Sequence, residues 1–259
     1  MIITHKLPWD KCLSNQLMPA IEKGWKDEDK PIHFFWGLAG KNIHDITMCE
    51  AQGEEWWYVD NGYMTQQITR YPEPIIHDYD KTYFRICKGN IHTTKLTECD
   101  DKRLNTKFKG WQSGEDILVC PSSPTVTFHI NGISQDEWIN KTINEIKNYT
   151  DRPIKLRNKP RPGNEWWNTN ILDDLKGVHC LVTNMSLAAV DAIINGVPCI
   201  TDKKNVANFV SSQDISKINL PFKPNNNEIN KWMRMLSHNQ FTIREIEDGI
   251  AFKVLQEQI

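Results

Sequence analysis

Three features of the chain predict an α/β protein organised as two domains. Between Asp116 and Thr201, short apolar runs alternate with helical patterns, as in a parallel sheet covered by helices. The same alternation recurs less cleanly from Ile32 to Cys87. At 259 residues the chain is long for one ordinary domain and about right for two small ones. The expected limits are 1–113 and 114–240, with the change-over near Gly110 to Gly114. A last helix, 241–259, is expected to pack back toward the first domain.

In the first domain, Ile32-His-Phe-Phe-Trp36 reads as a strand, followed by a loop, Gly37-Leu-Ala-Gly40, and a helix over Asn42 to Gln52. Trp56 to Val59 is the next strand, and Asp60-Asn61-Gly62 is a strong turn signal. Thr82 to Cys87 is strand-like. In the second domain, Asp116 to Pro121 is a buried strand closed by Pro121-Ser-Ser-Pro124. Ser134 and Glu137 have the spacing of a capping box, and Trp138, Ile139, Thr142, Ile143, Ile146 and Tyr149 recur at helical intervals. Ile154 to Arg157 is a strand, Thr169 to Leu175 a short helix, and Val178 to Thr183 a strand. Leu187 to Ile194 is a helix stopped by Asn195-Gly196, and Val197 to Thr201 is the fourth strand of this half. Asn227 to Ser237 and a capped segment from Thr242 complete the helices.

Composition narrows the classes of function. Hydrophobic residues make up 39% of the chain, aromatic residues 10% and charged residues 25%, a globular balance. No apolar run approaches the ~20 residues that span a bilayer, and Met1 to Asp10 lacks the apolar core of a signal peptide. A soluble, cytoplasmic protein is expected. With 31 basic and 33 acidic residues the net charge is -2, which speaks against a histone-like polyanion binder. The seven cysteines, Cys12, Cys49, Cys87, Cys99, Cys120, Cys180 and Cys199, form no C-x-x-C pair, so neither a metal cluster nor a disulfide framework is expected. Neither a dinucleotide fingerprint nor a Walker A sequence occurs.

The most informative segment runs from Leu181 to Ile200. A buried strand delivers the chain to a turn holding Asn184 and Ser186, and a helix begins at once. Such a helix start offers unpaired N–H groups to an anion. Asp191 is the odd residue, a carboxylate on an otherwise apolar helix. Burying it unpaired is costly, so it should face a cleft or a donor, and a ribose diol is a natural partner. The plainer alternative is an ordinary βαβ unit, with Ser186 as N-cap and Asp191 at the solvent edge.

Asp191-Ala-Ile-Ile-Asn-Gly-Val-Pro-Cys-Ile200 resembles the nucleotide-sugar signature of the GT-B glycosyltransferases. That resemblance implies two Rossmann-like α/β domains facing a central cleft, with the acceptor on the first and the donor on the second. It implies a nucleotide-diphosphate sugar as co-substrate, no separate cofactor, and no required metal. Asp191 would bind the donor ribose, and the amides of Asn184, Met185, Ser186 and Leu187 the diphosphate. The family usually has Glu where Asp191 stands, and Thr183 replaces a second Glu of its retaining members, so a retaining mechanism of that type is not implied.

Two further pieces fit a donor site. Ser122 and Ser123 follow the first strand of the second domain, at the carboxyl end where open α/β sheets bind ligands. Arg157 stands among Arg152, Lys155, Lys159 and Arg161, and a cation there would neutralise a leaving diphosphate; the alternative is a solvated strand end. An inverting transfer needs a general base. Asp60 is the first candidate, with His44 and Asp45 as the others, against a simple tight turn at Asp60. Asp78-Tyr-Asp80 resembles the metal-binding D-x-D of the other glycosyltransferase fold, GT-A, but the surrounding chain lacks that fold's order.

Lys81 to Lys109 mixes cations with Tyr83, Phe84, His92 and Trp111, which suits a nucleic-acid track or an antiparallel hairpin whose aromatics face inward. The small chain, rich in Asn, Lys and Trp, is similar to phage-encoded proteins. That likeness implies a host-cytoplasmic enzyme and adds a hydroxymethylated base in DNA to a glycan as the candidate hydroxyl acceptors, the basic segment favouring DNA. The other functions weighed are a non-catalytic nucleotide- or polyanion-binding module of the same fold, and an acceptor-independent nucleotide-sugar enzyme such as an epimerase. Oligomeric state is not legible.

Overall fold

The computed structural model describes residues 1–8, 12–26, 29–64, 80–96, 106–161 and 163–257. The chain divides into two compact units, Met1–Arg103 with Arg234–Ile259, and Leu104–Met233. In chain order the elements begin with β1 (Ile2–His5), α1 (Ser14–Gly24), β2 (Ile32–Trp36), α2 (Asn42–Gln52), β3 (Glu55–Asn61) and β4 (Tyr83–Lys88). Then come β5 (Asp116–Val119), α3 (Pro124–Asn131), α4 (Gln135–Lys147), β6 (Ile154–Leu156), α5 (Ile171–Asp174), β7 (Val178–Thr183), α6 (Ala188–Ile194) and β8 (Cys199–Thr201). The chain closes with α7 (Asn226–His238), β9 (Phe241–Thr242), α8 (Ile243–Glu247) and α9 (Ile250–Gln256). Among the described residues, no helix is long and apolar enough to cross a membrane.

The first unit is built on a mixed sheet in the order β1-β2-β3-β4-β9. Its first three strands are parallel, and β4 runs antiparallel to both β3 and β9. Because successive side chains alternate in direction, Phe34, Trp36, Trp57, Val59, Phe84 and Ile86 share one face. There they join Leu17 and Ile21 of α1 and Phe252 of α9 in one buried cluster. Gly24, at the end of α1, is required by a close approach: a Cβ there would fall 1.7 Å from the Ile246 carbonyl oxygen of α8. On the other face His5 stacks on Phe35 with ring centroids 3.9 Å apart.

Three elements of this unit, β1, α1 and β3, differ from the sequence expectation. Neither β1 nor α1 is foreseen, since β1 is short and α1 contains Pro19, which reads as a breaker. Asp60 does not open a turn: β3 continues through it to Asn61, with Asp60 opposite Arg85 and Asn61 opposite Phe84. The extension follows from a cross-strand ion pair that local residue types do not reveal.

The C-terminal segment is capped as its spacing predicts. The Thr242 hydroxyl accepts from the Glu245 N–H at 3.2 Å, and the Glu245 carboxylate accepts from the Thr242 N–H at 2.8 Å. Gly249, at φ 74°, then separates α8 from α9. Thr242→Ala is expected to cost about 1 kcal/mol. Urea unfolding would show this as a lower midpoint with an unchanged slope.

The second unit carries an all-parallel sheet in the order β6-β5-β7-β8. Its core joins Ile117 and Val119 of β5, Cys180 and Val182 of β7, Ile200 of β8 and Ile146 of α4. Ser134 caps α4 by accepting from the Glu137 N–H at 3.1 Å. Here α3 is the addition to the expected elements. Pro124 opens it, a position where proline's missing N–H costs nothing, whereas Pro121-Ser-Ser-Pro124 reads in sequence as a turn. Gly196, at φ 85°, ends the α6 turn, and a Cβ on it would fall 1.9 Å from the Gly110 carbonyl oxygen. The neighbouring amides of Lys109 and Gln112 donate to the carbonyls of Ile194 and Gly196 at 3.0 and 2.8 Å, fastening the end of α6.

Candidate functional site

Because β5, β6 and β7 are parallel, the residues that follow them meet at one edge of the second sheet. Ser122 follows β5, Arg157 follows β6 and Asn184 follows β7. The Ser122 N–H donates to Asn184 Oδ1 at 2.9 Å, and the Met185 N–H donates to Ser122 Oγ at 3.1 Å. Asn184 Nδ2 donates to Thr127 Oγ1 and Asn131 Oδ1 at 3.2 and 2.9 Å. Ser122, Asn184 and Met185 are therefore brought together in a buried clasp between two loops. Ser123 holds the N-cap position of α3 without a side-chain capping bond.

The turn before α6 offers fewer open amides than the sequence suggests. The Ser186 N–H donates to Thr183 Oγ1 at 3.2 Å, and the Ala188 N–H donates to Ser186 Oγ at 3.2 Å. With the Met185 N–H on Ser122 Oγ, two of the four amides assigned to a diphosphate are satisfied within the chain. A helix start without a ligand must find acceptors of its own. Ser186 thus acts as the cap of the plainer alternative. The Leu187 N–H has no hydrogen-bond acceptor among the described residues.

Asp191 does not follow that plainer alternative. It lies one turn into α6, partly buried rather than at the solvent edge, and its carboxylate accepts no hydrogen bond among the described residues. Burial raises its pKa from 3.8 to about 6, while the Arg157 guanidinium pulls the other way. Arg157 is only 5% exposed. It is ion-paired with Asp174 at the end of α5 and donates to Thr169 Oγ1 at 3.0 Å. Cys120 stays a neutral thiol, pushed up to about 12 by burial within the fields of Arg157, Asp174 and Asp191. The edge thus holds a partly neutralised cation whose field reaches an acid that accepts no hydrogen bond among the described residues. Asp174 is the member the sequence reading missed; it lies in a short polar helix whose residue types carry no signal.

In the first unit the three base candidates separate. The Asp60 carboxylate accepts from Tyr58 OH at 2.6 Å, from the Asn61 N–H at 2.8 Å and from Arg85 Nη2 at 3.0 Å. Arg85 is 5% exposed and also donates to the carbonyls of Ile91 and Asn61. Its guanidinium lies over the rings of Tyr58 and Tyr63. Burial opposes the charge on Arg85, yet Asp60 and Tyr58 outweigh it and hold the group protonated. The same burial drives the Tyr58 and Tyr63 phenols well above their ordinary range, and the Cys87 thiol up to about 11. As Asp60 balances a buried cation, it is poorly placed to take a proton from an acceptor.

His44 is exposed. Asp45 faces Lys41 at 3.7 Å and His5 Nδ1 at 3.6 Å, so it opens onto a histidine pair that sequence reading did not single out. His5 and His33 are brought side by side only by the pairing of β1 with β2. The His5 pKa falls to about 4, through burial first and the neighbouring His33 next.

In the described part of the basic stretch from Lys81 to Lys109, Phe84, Arg85 and His92 turn inward while Lys81, Lys88, Lys95, Lys107 and Lys109 stay exposed. Phe84 is core, His92 is buried, Arg85 is spent on Asp60, and Lys88 pairs with Glu55 at 2.7 Å. Of the D-x-D tripeptide, Asp78 and Tyr79 lie outside the described residues. Asp80 is exposed, 3.7 Å from Arg244.

Fold and edge together define a mixed α/β protein whose parallel second sheet gathers polar side chains at its carboxyl ends. No family model matches the chain, and no curated protein does. Among solved structures the chain is similar to Thermosulfurimonas dismutans KpsC, a beta Kdo 2,7 transferase. The likeness covers 100% of this chain and 99% of that one, at 10% identity and a TM-score of 0.48.

Proposed function

We propose that the protein is a glycosyltransferase that takes a nucleotide-activated sugar at the carboxyl edge of its second sheet and transfers the sugar to a hydroxyl acceptor. The observation that carries this reading is Asp191, a partly buried carboxylate that finds no hydrogen-bond donor among the described residues, its pKa raised to about 6. Such a group is costly to keep unless a ligand completes it. A ribose diol supplies two donors, and at neutral pH the ionised carboxylate accepts both. The resemblance of Asp191 to Ile200 to a nucleotide-sugar signature supplies the class of ligand. Arg157 supports it as the cation whose field reaches that acid, and the Leu187 N–H as a donor at the same helix start with no acceptor among the described residues. In this reading the first unit serves the acceptor.

The test is a thermal-shift panel of nucleoside mono- and diphosphates and their sugar conjugates on the full chain. One nucleotide class is expected to stabilise it, by about 2.7 kcal/mol at a hundredfold excess over Kd. The shift should vanish in Asp191→Ala. Incubating the bound sugar nucleotide with glycans, or with DNA bearing hydroxymethylated bases, should then release free nucleotide. A panel in which nothing stabilises the chain would sink the proposal.

The engagement of Asp60 by Arg85 favours a second reading, a nucleotide-binding module without transfer. Stabilisation by nucleotide with no sugar released to any acceptor would select it.

A further inference from the structure

We propose that His33, Cys49 and Glu54 bind one zinc-class divalent cation, with His33 oriented through His5 and Asp45. The residues come from three places that the fold brings together. His33 is the second residue of β2, Cys49 lies in the last turn of α2, and Glu54 follows Gly53, whose φ of 69° turns the chain back beneath that helix end. One ligand atom from each lies within 4.8 Å of the other two. Among the described residues no other group of His, Cys, Asp and Glu side chains meets that condition.

The donor chemistry fits. An imidazole nitrogen, a thiolate and a carboxylate oxygen are the ligands zinc takes, and three protein ligands leave a fourth, tetrahedral position for water. The thiol proton of buried Cys49 lies beside Glu54, a carboxylate oxygen of which is within 4.8 Å of the sulfur. On binding, the thiol gives that proton to solvent and its sulfur pair to the metal, so one proton is released per ion bound.

Proton counting along the histidine pair points the same way. His33 Nδ1 and His5 Nε2 are 3.0 Å apart, close enough to share one proton, and His5 Nδ1 lies 3.6 Å from the Asp45 carboxylate. When His5 turns its N–H toward Asp45, its other nitrogen must accept from His33 Nδ1. His33 Nε2 then carries a bare lone pair. That atom is buried, makes no hydrogen bond among the described residues, and faces Glu54 Oε2 at 3.2 Å. A lone pair opposite a carboxylate is repulsive, and a cation between them turns the repulsion into coordination. The outer chain of His5 and Asp45 is the arrangement that fixes the tautomer of a metal-bound histidine.

The experiment uses the full chain, stripped by a chelator and titrated with Co²⁺ as a visible probe. One equivalent is expected to bind with a thiolate-to-cobalt charge-transfer band and tetrahedral ligand-field bands, all abolished by Zn²⁺. Cys49→Ser and Cys49→Ala should remove the charge-transfer band. His33→Gln and Glu54→Gln should weaken binding, and Asp45→Asn should do so by about ten- to a hundredfold. Cys99→Ser should leave the band intact. Zn²⁺ should raise the thermal midpoint of the parent chain but not of Cys49→Ser. The proposal is overturned if a stripped chain that keeps its far-UV circular dichroism shows no band. It is also overturned if the band survives Cys49→Ser or disappears with Cys99→Ser.

Discussion

Replacing Asp191 by Asn is expected to make the folded protein more stable at pH 8 while abolishing the proposed capture of nucleotide. Burial raises the carboxyl from 3.8 to about 6, so the folded chain holds this proton more tightly than the unfolded chain does. The stability that goes with protonation is fully present below the ordinary carboxylate pKa and is lost as pH rises through about 6. Two pKa units correspond to about 3 kcal/mol, an upper bound on what the ionised carboxylate costs. Asn carries no charge at any pH. The variant should therefore gain up to about 2 kcal/mol at pH 8 and nothing below pH 4, as read by urea unfolding at both values. A residue kept for structure would behave oppositely, its loss lowering stability at pH 8. Gain of stability with loss of binding marks a group retained for its ligand.

The second large effect lies in the first unit. Arg85→Met should cost about 4 kcal/mol, because it strands the Asp60 carboxylate and two backbone carbonyls in a site that offers little water. Asp60→Asn alone should also destabilise, and the two changes together should cost less than the sum of the two alone, since each removes the other's partner. A double-mutant cycle by chemical denaturation measures this coupling. If Asp60 were a freely accessible base, its replacement would leave stability unchanged and the cycle would show no coupling.

The second sheet was more legible in the sequence than the first, for physical reasons. Val178 to Thr183 is a continuous apolar run ended by Asn184, and Asn195-Gly196 is a local stop, so β7, α6 and β8 are announced by their own residues. β1 is only partly buried along its length and depends on β2 for its existence. α1 survives an internal Pro19 because its apolar face is covered by α8 and α9. Asp60-Asn61-Gly62 has turn-forming residue types, yet Arg85, distant in sequence, recruits the first two into a strand.

The candidate site divides in the same way. Asp191 stood out as a charge on an apolar helix and Arg157 as a cation at a strand end. What each faces is decided by Asp174 and by the order of the strands. The hydroxyls that silence the amides before α6 come from Ser122, Thr183 and Ser186, and only packing tells such capping from ligand binding. His5, His33, Cys49 and Glu54 follow no motif spacing, since a sheet pairing and a helix end bring them together.

The helix that carries Asp191 is held at both extremities. Ser186 and Asn205 fasten its entry, while the amides of Lys109 and Gln112 hold its exit, where Gly196 admits the Gly110 carbonyl. A carboxylate on so short and tethered a rod has little rotational liberty left to surrender. The proposed capture of a sugar nucleotide should therefore resemble a key entering a cut lock, with scant reshaping of the backbone and a correspondingly small entropic toll.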